Sequence, residues 1–445
     1  MVAATVDVGA LIDERQLSRL QIVTFVLCAL IALLDGVDSQ AIGVAGPLMA
    51  AELHVKMSGF APVISAGLFG ATIGALTFGP ISDRYGRKPT LVGATVLFGA
   101  FTLLTPAAWD MTSLIAIRFI AGLGLGGATP CFITLAADYA PKRRRAMLAS
   151  LLWSAYPLGN AVGGFMTSFV VSRYDWRTVF YVGAVPTLVA AAALVAFLPE
   201  SLRFLASTGR DPEGAARLAR RLDPNLPSGP LRMLRPDEAA KRVRWTAMFA
   251  QGRAASTLLL WTIFFLAFGT TTLIVLWTPT LLRGAGMPLS TTANLVGLYS
   301  LAAVAGMAVA GKLVDRVGAI AALVPAFVLG GGLLVLLGAV AATPWLAALC
   351  MVLLGLSIPL GAAGGVALAA TYYPTEIRTS GVGWAMGLGR FGQVCSPLAV
   401  GLMLSLDWLP AQILTAMAAA PVLAGMAVLL RTMLEARRPL VSVAA

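Results

Sequence analysis

Twelve runs of about 20 or more mostly apolar residues divide this chain of 445, near 20–46, 57–80, 89–108, 112–138, 146–171, 177–198, 255–281, 291–313, 319–341, 344–371, 380–405 and 409–431. A helix rises about 1.5 Å per residue, so each run can cross a hydrocarbon core of about 30 Å. No water satisfies backbone N–H and C=O groups at that depth, which leaves the α-helix as the conformation such a run must take. With 58% hydrophobic and 12% charged residues, the fold class is an all-α polytopic membrane protein. The net charge of +12 does not point to nucleic acid, because the basic residues lie in the short joints between runs. Asp13, Glu14, Arg15 and Arg19 stand before the first run without a short apolar core and cleavage site, so the N-terminus is expected to be retained. Cys28, Cys131, Cys350 and Cys395 all fall within apolar runs at no metal-ligand spacing. Neither a disulfide nor a metal site is expected.

An even number of spans puts both termini on one face. Of 32 Lys and Arg residues, 26 lie on that face. Lys56, Arg173, Arg177 and Arg283 lie on the other, and Arg118 and Arg390 fall inside spans. That imbalance predicts cytoplasmic termini in a multi-pass plasma membrane protein, with a bacterial inner membrane as the expected setting. The polar segment 199–254 separates an N-terminal six-span bundle, 1–198, from a C-terminal one, 255–445. Its stretch 203–222 reads as an amphipathic surface helix and its Pro-rich remainder as linker.

The two halves repeat. Residues 79–88 read G-P-I-S-D-R-Y-G-R-K and residues 311–318 read G-K-L-V-D-R-V-G, placing Asp315 232 residues after Asp83. Pro279 follows Pro47 at the same offset, and Pro374 and Arg378 follow Pro141 and Arg145 at 233. Paired six-span repeats of like orientation are the architecture of carriers that rock about a midplane site, so two pseudo-symmetric bundles are expected.

At these residues the chain resembles the major facilitator superfamily. The G-x-x-x-D-R-x-G-R-K element over 79–88 is similar to its best-known signature, and the stretch Arg118-Phe119-Ile120-Ala121-Gly122-Leu123-Gly124-Leu125-Gly126 to its second. Leu198-Pro199-Glu200-Ser201-Leu202-Arg203-Phe204-Leu205 resembles the P-E-S-x-R-x-L exit from span 6 of sugar and organic-acid carriers. A narrower resemblance is to the aromatic acid:proton symporters. Asp35, Gly36, Asp38, Gly43 and Pro47 match their D-G-x-D-x-x-x-x-G-x-x-x-P. The entry to span 7, Phe249-Ala250-Gln251-Gly252-Arg253, its Trp277-Thr278-Pro279 close, and the run from Tyr373-Pro374-Thr375-Glu376 to Gly389-Arg390 are likewise similar. One departure is Leu276, where many members carry Asn. The resemblance implies a substrate that is a small aromatic carboxylate, and a cytoplasmic gate latched by Asp83, Arg84, Gly86, Arg87, Asp315 and Arg316 with Arg145 and Arg378. Asp83, following span 2, is expected near the N-terminal end of a neighbouring helix, where a carboxylate is favoured.

The charges inside spans carry the chemistry. An ionised carboxylate at such depth is costly unless paired, hydrated or protonated, and marks function by default. The repeat maps Asp35 and Asp38 onto Ala267 and Thr270, Arg118 onto Met351, and Arg390 onto Pro157, so none of these charges is duplicated. Asp35 lies about 22 Å along span 1, and Arg118 about 9 Å into span 4 from the opposite face, comparable depths that allow Arg118 to pair with Asp35 or Asp38. Protonation of one aspartate would break that pair and permit closure around substrate; the competing reading is an ion pair that only holds two spans together. Arg390, about 15 Å into span 11, suits bidentate capture of a carboxylate, or else a packing charge on a backbone carbonyl. Gln40, Phe69, Tyr156, Trp277, Tyr299 and Trp384 are midspan or near-midspan candidates to contact an aromatic solute. His54, the only histidine, falls in the outer loop and reads as a loop residue.

These features predict a secondary active importer of a small aromatic carboxylate by proton symport. The alternatives are a proton-coupled carrier of a non-aromatic organic acid or sugar, and an exporter, since Tyr156-Pro157 to Gly163-Gly164 imperfectly matches an exporter motif. No nucleophile–base pair, metal cluster or phosphate loop supports an enzyme, so no catalytic residue and no cofactor is expected, and the proton gradient supplies the energy. The expected partners are the aromatic acid, protons and the lipid bilayer, with no nucleic acid and a monomeric state.

Overall fold

The computed structural model describes residues 4–13, 17–227, 231–234, 245–250, 252–374 and 377–436; Glu14, Arg15, Gln251, Thr375 and Glu376 lie outside the described residues. The first six spans are Arg19–Glu52, Ala61–Tyr85, Arg87–Leu104, Met111–Tyr139, Arg145–Val171 and Arg177–Phe197. The next five are Ala254–Gly284, Leu289–Val317, Ala319–Ala339, Pro344–Tyr372 and Arg378–Ser405. Span 12 is built from Pro410–Met417 and Ala419–Ala436. Among the described residues, ten of these twelve are long and apolar enough to cross a membrane by length and composition. Spans 5 and 11, at 27 and 28 residues, are as long as the rest. Span 1 runs past its expected end because Pro47 does not stop it. A proline inside a membrane helix frees a carbonyl that neighbouring groups can satisfy. Span 4 begins on a capping box: Asp110 accepts from the Ser113 backbone N–H at 2.7 Å, and Ser113 Oγ accepts from Asp110 N at 3.1 Å. That backbone bond holds the Asp110 carboxyl below its ordinary range.

The segment 199–254 is more structured than a surface helix with linker. Two helices, Leu202–Thr208 and Pro212–Leu222, replace the single one expected. Gly209 ends the first in the left-handed region at φ +62, and Asp211 caps the second by accepting from Gly214 N at 2.7 Å. Strand β2, Leu231–Leu234, then pairs in parallel with strand β1, Ala4–Asp7, at the other end of the sequence. Val6, Val8, Ile12, Leu202, Ala215 and Leu231 join one buried cluster with Leu27, Leu91, Cys131 and Leu194 of spans 1, 3, 4 and 6.

Compactness divides the chain differently from the repeat. One unit takes in 1–38, 69–159 and 180–241, the other 39–68, 160–179 and 242–445. Within each, spans meet at glycines, and the repeat reappears in those contacts. A Cβ added at Gly74 would stand 2.2 Å from the Leu123 carbonyl oxygen, and one at Gly306 2.6 Å from that of Leu356. Gly306 lies 232 residues after Gly74, and Leu356 lies 233 after Leu123. A Cβ added at Gly159 would stand 1.9 Å from the Leu33 carbonyl oxygen and one at Gly392 2.0 Å from that of Phe265, again at offsets of 233 and 232. The same backbone approaches therefore join span 2 to 4 and 8 to 10, and span 1 to 5 and 7 to 11. In the second unit the far ends of spans 1, 2 and 5 close on spans 7, 11 and 8. Gly43 lies against the Leu276 backbone, Ser65 Oγ donates to the Val394 carbonyl at 3.0 Å, and Gly164 meets Gly297 and the Ala293 carbonyl.

Span 4 shows how tight these contacts are. A Cβ at Gly124 would meet Phe98 N at 2.5 Å on span 3, and one at Gly126 the Ala71 oxygen at 1.8 Å on span 2. No rotamer relieves a clash between Cβ and backbone, so Gly126→Ala must push spans 2 and 4 apart at a cost of about 1–3 kcal/mol. Thermal unfolding of the detergent-purified variant is expected to show a lowered Tm, whereas Gly93→Ala, with nothing within 4 Å, should not lower it.

Candidate functional site

The first unit holds a buried polar cluster on spans 1, 3 and 4. Asp38 is 2% exposed and Arg118 6%. Arg118 Nη2 donates to Asp38 Oδ2 at 2.9 Å and Nη1 to Oδ1 at 3.4 Å, while Thr102 Oγ1 donates to Oδ1 at 3.0 Å. Asp38 thus accepts three bonds in apolar surroundings, the satisfaction a buried carboxylate requires. The guanidinium of Arg118 forms an ion pair with Asp38. Asp35, one turn earlier on span 1, is buried as well. Thr102 was not readable in advance, since a threonine in an apolar run usually bonds its own helix. At the corresponding places of the second half, Ala267, Thr270, Leu334 and Met351 are all at most 1% exposed, and Thr270 Oγ1 donates to Leu266 O. A span bundle of the same construction therefore closes without the cluster.

The second unit carries Arg390, Gln40, Trp277, Tyr299 and Trp384, while Phe69 and Tyr156 fall in the first. Arg390 lies at the middle of span 11, half-buried between Gly389, packed on the Phe268 ring, and Gly392, packed on the Phe265 backbone. Trp277 and Tyr299 are fully buried. Gln40 is 0% exposed, and neither its Oε1 nor its Nε2 has a hydrogen-bond partner. The same is true of Trp277 Nε1 and Thr278 Oγ1. These groups flank one contact: Gln40 precedes Gly43 by a turn, and Trp277 follows Leu276, which Gly43 touches. Leaving a buried polar group unsatisfied costs about 1–3 kcal/mol, so such a concentration marks a place where a ligand can supply partners. Trp384 is not near midspan. It lies in the second turn of span 11, 47% exposed, stacked on Trp261 with ring centroids 6.1 Å apart. Phe69 is 44% exposed beside Phe119, and Tyr156 of span 5 is half-buried. His54 sits in the exposed turn after span 1 with φ +54.

The D-R-x-G-R-K element folds into a charge network inside the first unit. Arg87 pairs with Asp138 at 2.9 Å, donates to Ser201 Oγ at 3.0 Å and lies 3.9 Å from Asp83. Asp83 lies near the start of span 3, 3.9 Å from its first residue Arg87, but Glu200 is the carboxylate that bonds the backbone there. The Asp83 side chain is 73% exposed on the last turn of span 2. Glu200 accepts from the backbone N–H of Arg87 at 3.0 Å and of Lys88 at 3.3 Å. Gly86 makes room for it: φ is +110, and a Cβ there would lie 2.4 Å from Glu200 Oε2. Gly318, 232 residues on, opens span 9 with φ +85. Arg84 lies 5.3 Å from the Tyr85 ring, Arg145 is half-buried, and Arg378 donates Nε to Tyr373 O at 3.4 Å. Asp315 and Arg316 are exposed on the last turn of span 8. Asp138 and Glu200 were missed as network members; the Pro-Glu-Ser run was the available signal for Glu200.

The chain matches the family description Major Facilitator Superfamily over residues 28–329 and, overlapping, 259–443. It is 33% identical to a 4-hydroxybenzoate transporter of Acinetobacter baylyi over 91% of this chain and 90% of that one. It is 33% identical to a 3-(3-hydroxy-phenyl)propionate transporter of Escherichia coli over 92% and 94%. Among solved structures, a D-xylose-proton symporter superposes with a TM-score of 0.70 over 92% of this chain and 97% of that one, at 18% identity, a likeness of fold.

Breaking the buried pair from either side strands a charge, so Asp38→Asn and Arg118→Gln are each expected to destabilise by about 3–5 kcal/mol. The double variant should lose clearly less than their sum, measured as a thermal double-mutant cycle; additive losses would mean the two side chains do not interact. Glu200→Gln keeps an acceptor but removes the charge at the span 3 N-terminus, and should cost about 1 kcal/mol in the same assay.

Proposed function

We propose, for a chain that belongs to the major facilitator superfamily and within it to the aromatic acid:proton symporters, that it imports a small hydroxylated aromatic carboxylate together with protons by alternating access. It is a multi-pass membrane transporter and not an enzyme. The observation that carries the proton reading is the Asp38–Arg118–Thr102 cluster, buried in one half and replaced by Thr270, Met351 and Leu334 in the other. Protonating Asp38 would remove the charge that holds Arg118 and leave a neutral acid able to keep one hydrogen bond. Asp38 is also the last residue of span 1 in the first compact unit; Ser39 begins the portion that packs with span 7.

The substrate reading rests on chemistry shared by the relatives' cargoes, a carboxylate and a ring hydroxyl, one with and one without a two-carbon spacer. Arg390 takes the carboxylate. The unsatisfied amide of Gln40 and the indole N–H of Trp277 supply partners for a ring hydroxyl, and Trp277 and Tyr299 supply flat apolar surface. Asp83, Arg84, Arg87, Arg145, Asp315, Arg316 and Arg378 belong to the gate on the face bearing most Lys and Arg, which is the cytoplasmic one in this reading, with both termini there. The proton gradient drives uptake with no cofactor.

Uptake of labelled 4-hydroxybenzoate by cells expressing the chain tests this. Accumulation should collapse with a protonophore and be competed by benzoate-type acids; insensitivity to the protonophore, or competition by sugars instead, would reject it. Asp38→Asn should abolish accumulation while leaving substrate exchange across the membrane. Arg390→Ala should weaken substrate affinity about 10- to 100-fold, and unchanged affinity would remove Arg390 from the site.

A further inference from the structure

A cavity of about 770 Å³ opens in the first unit where spans 1, 3 and 6 meet the helix Pro212–Leu222. Five cations line it: Arg19, Lys88, Arg217, Arg220 and Arg221. Among the described residues two carboxylates share the lining, and both are committed elsewhere. Glu200 accepts from the backbone at the start of span 3, and Asp211 caps its own helix. Lys88 Nζ donates to Val195 O, and Arg220 Nε to Pro227 O. Arg19, Arg217 and Arg221 are exposed and, among the described residues, have no carboxylate partner. Arg217 and Arg221 stand one turn apart on the helix face opposite buried Ala215, Ala219 and Leu222. Like charges at that spacing repel, so the helix by itself does not favour this arrangement.

The rest of the wall is apolar and belongs to the spans. Val23 of span 1 is 39% exposed and Phe197 of span 6 is 67% exposed, both within the lining. A cationic rim above an apolar wall, at the point where membrane helices end, matches a molecule with a phosphate at one end and acyl chains at the other. A soluble phosphate would satisfy the rim but leave Val23 and Phe197 uncovered.

We propose that this cavity binds the headgroup of an anionic phospholipid, with Arg217, Arg221 and Arg19 on the phosphate and the acyl chains along Val23 and Phe197. The lipid would tie the helix Pro212–Leu222, and through it the β1–β2 sheet, to the membrane boundary.

Native mass spectrometry of the delipidated full chain, titrated with dioleoylphosphatidylglycerol or dioleoylphosphatidylcholine, tests the assignment. The anionic lipid is expected to bind in preference to the zwitterionic one. Arg217→Gln/Arg221→Gln, both at exposed positions, should lose about thirtyfold in affinity for it while keeping the wild-type Tm in lipid-free detergent. Phe197→Ser should weaken the same lipid with the cations untouched. Equal affinity of the double variant and the wild type, or no preference between the two lipids, would overturn the proposal. So would displacement of the lipid by millimolar inorganic phosphate, which would make the cavity a site for soluble anions.

Discussion

Helices in hydrocarbon gain little by exchanging lipid tails for one another's leucines, so these spans must be held by something other than apolar burial. Here the backbone itself supplies it. Gly74, Gly126 and Gly159 let one helix rest on the carbonyls of the next, and Gly306, Gly355 and Gly392 do so in the second half. Close approach of this kind is short-ranged and gains from many small dispersion contacts. It also fixes register, because a glycine displaced by one residue presents a side chain where a carbonyl must pass. The helices that carry Asp38, Arg118 and Arg390 are therefore held in place by contacts that involve none of those charges.

That separation lets the bundle tolerate chemistry which is costly for stability. A carboxylate and a guanidinium in an apolar core are at best neutral against a well-packed hydrophobic pair. The second half, with Met351 and Thr270 in the corresponding places, shows the cheaper solution. The first half keeps the ion pair and satisfies it with Thr102 from a third helix. The unsatisfied amide of Gln40 is a second local cost, accepted beside a tight glycine contact.

Much of this was legible in the residues. Length and polarity of the apolar runs set the twelve spans, and the D-R-x-G repeat set the offset that glycine contacts later reproduced. Asp35, Asp38 and Arg118 stood out because charge is rare in such runs and the depths of Asp35 and Arg118 were comparable, which left either aspartate as the partner. What escaped was long-range or short in sequence. Glu200 reaches a helix start more than a hundred residues before it, and no local pattern announces that it, rather than Asp83, serves span 3. The strands are four residues each, too brief for alternation to register. The break between the helices ending at Thr208 and beginning at Pro212 was readable: Gly209 and Asp211-Pro212 are stop and start signals.

The β1–β2 pairing has a consequence for how the chain is made. Ala4–Asp7 leaves the ribosome before the first six spans, yet its partner Leu231–Leu234 emerges only after all six have been synthesised. With synthesis at about 5–20 residues per second, the first strand waits on the order of ten seconds or more with its edge unpaired. Its closing contact spans more than two hundred residues, so it forms late and depends on the spans before it having inserted in order. Of the two strands, the one made first thus waits for the other before its edge is satisfied.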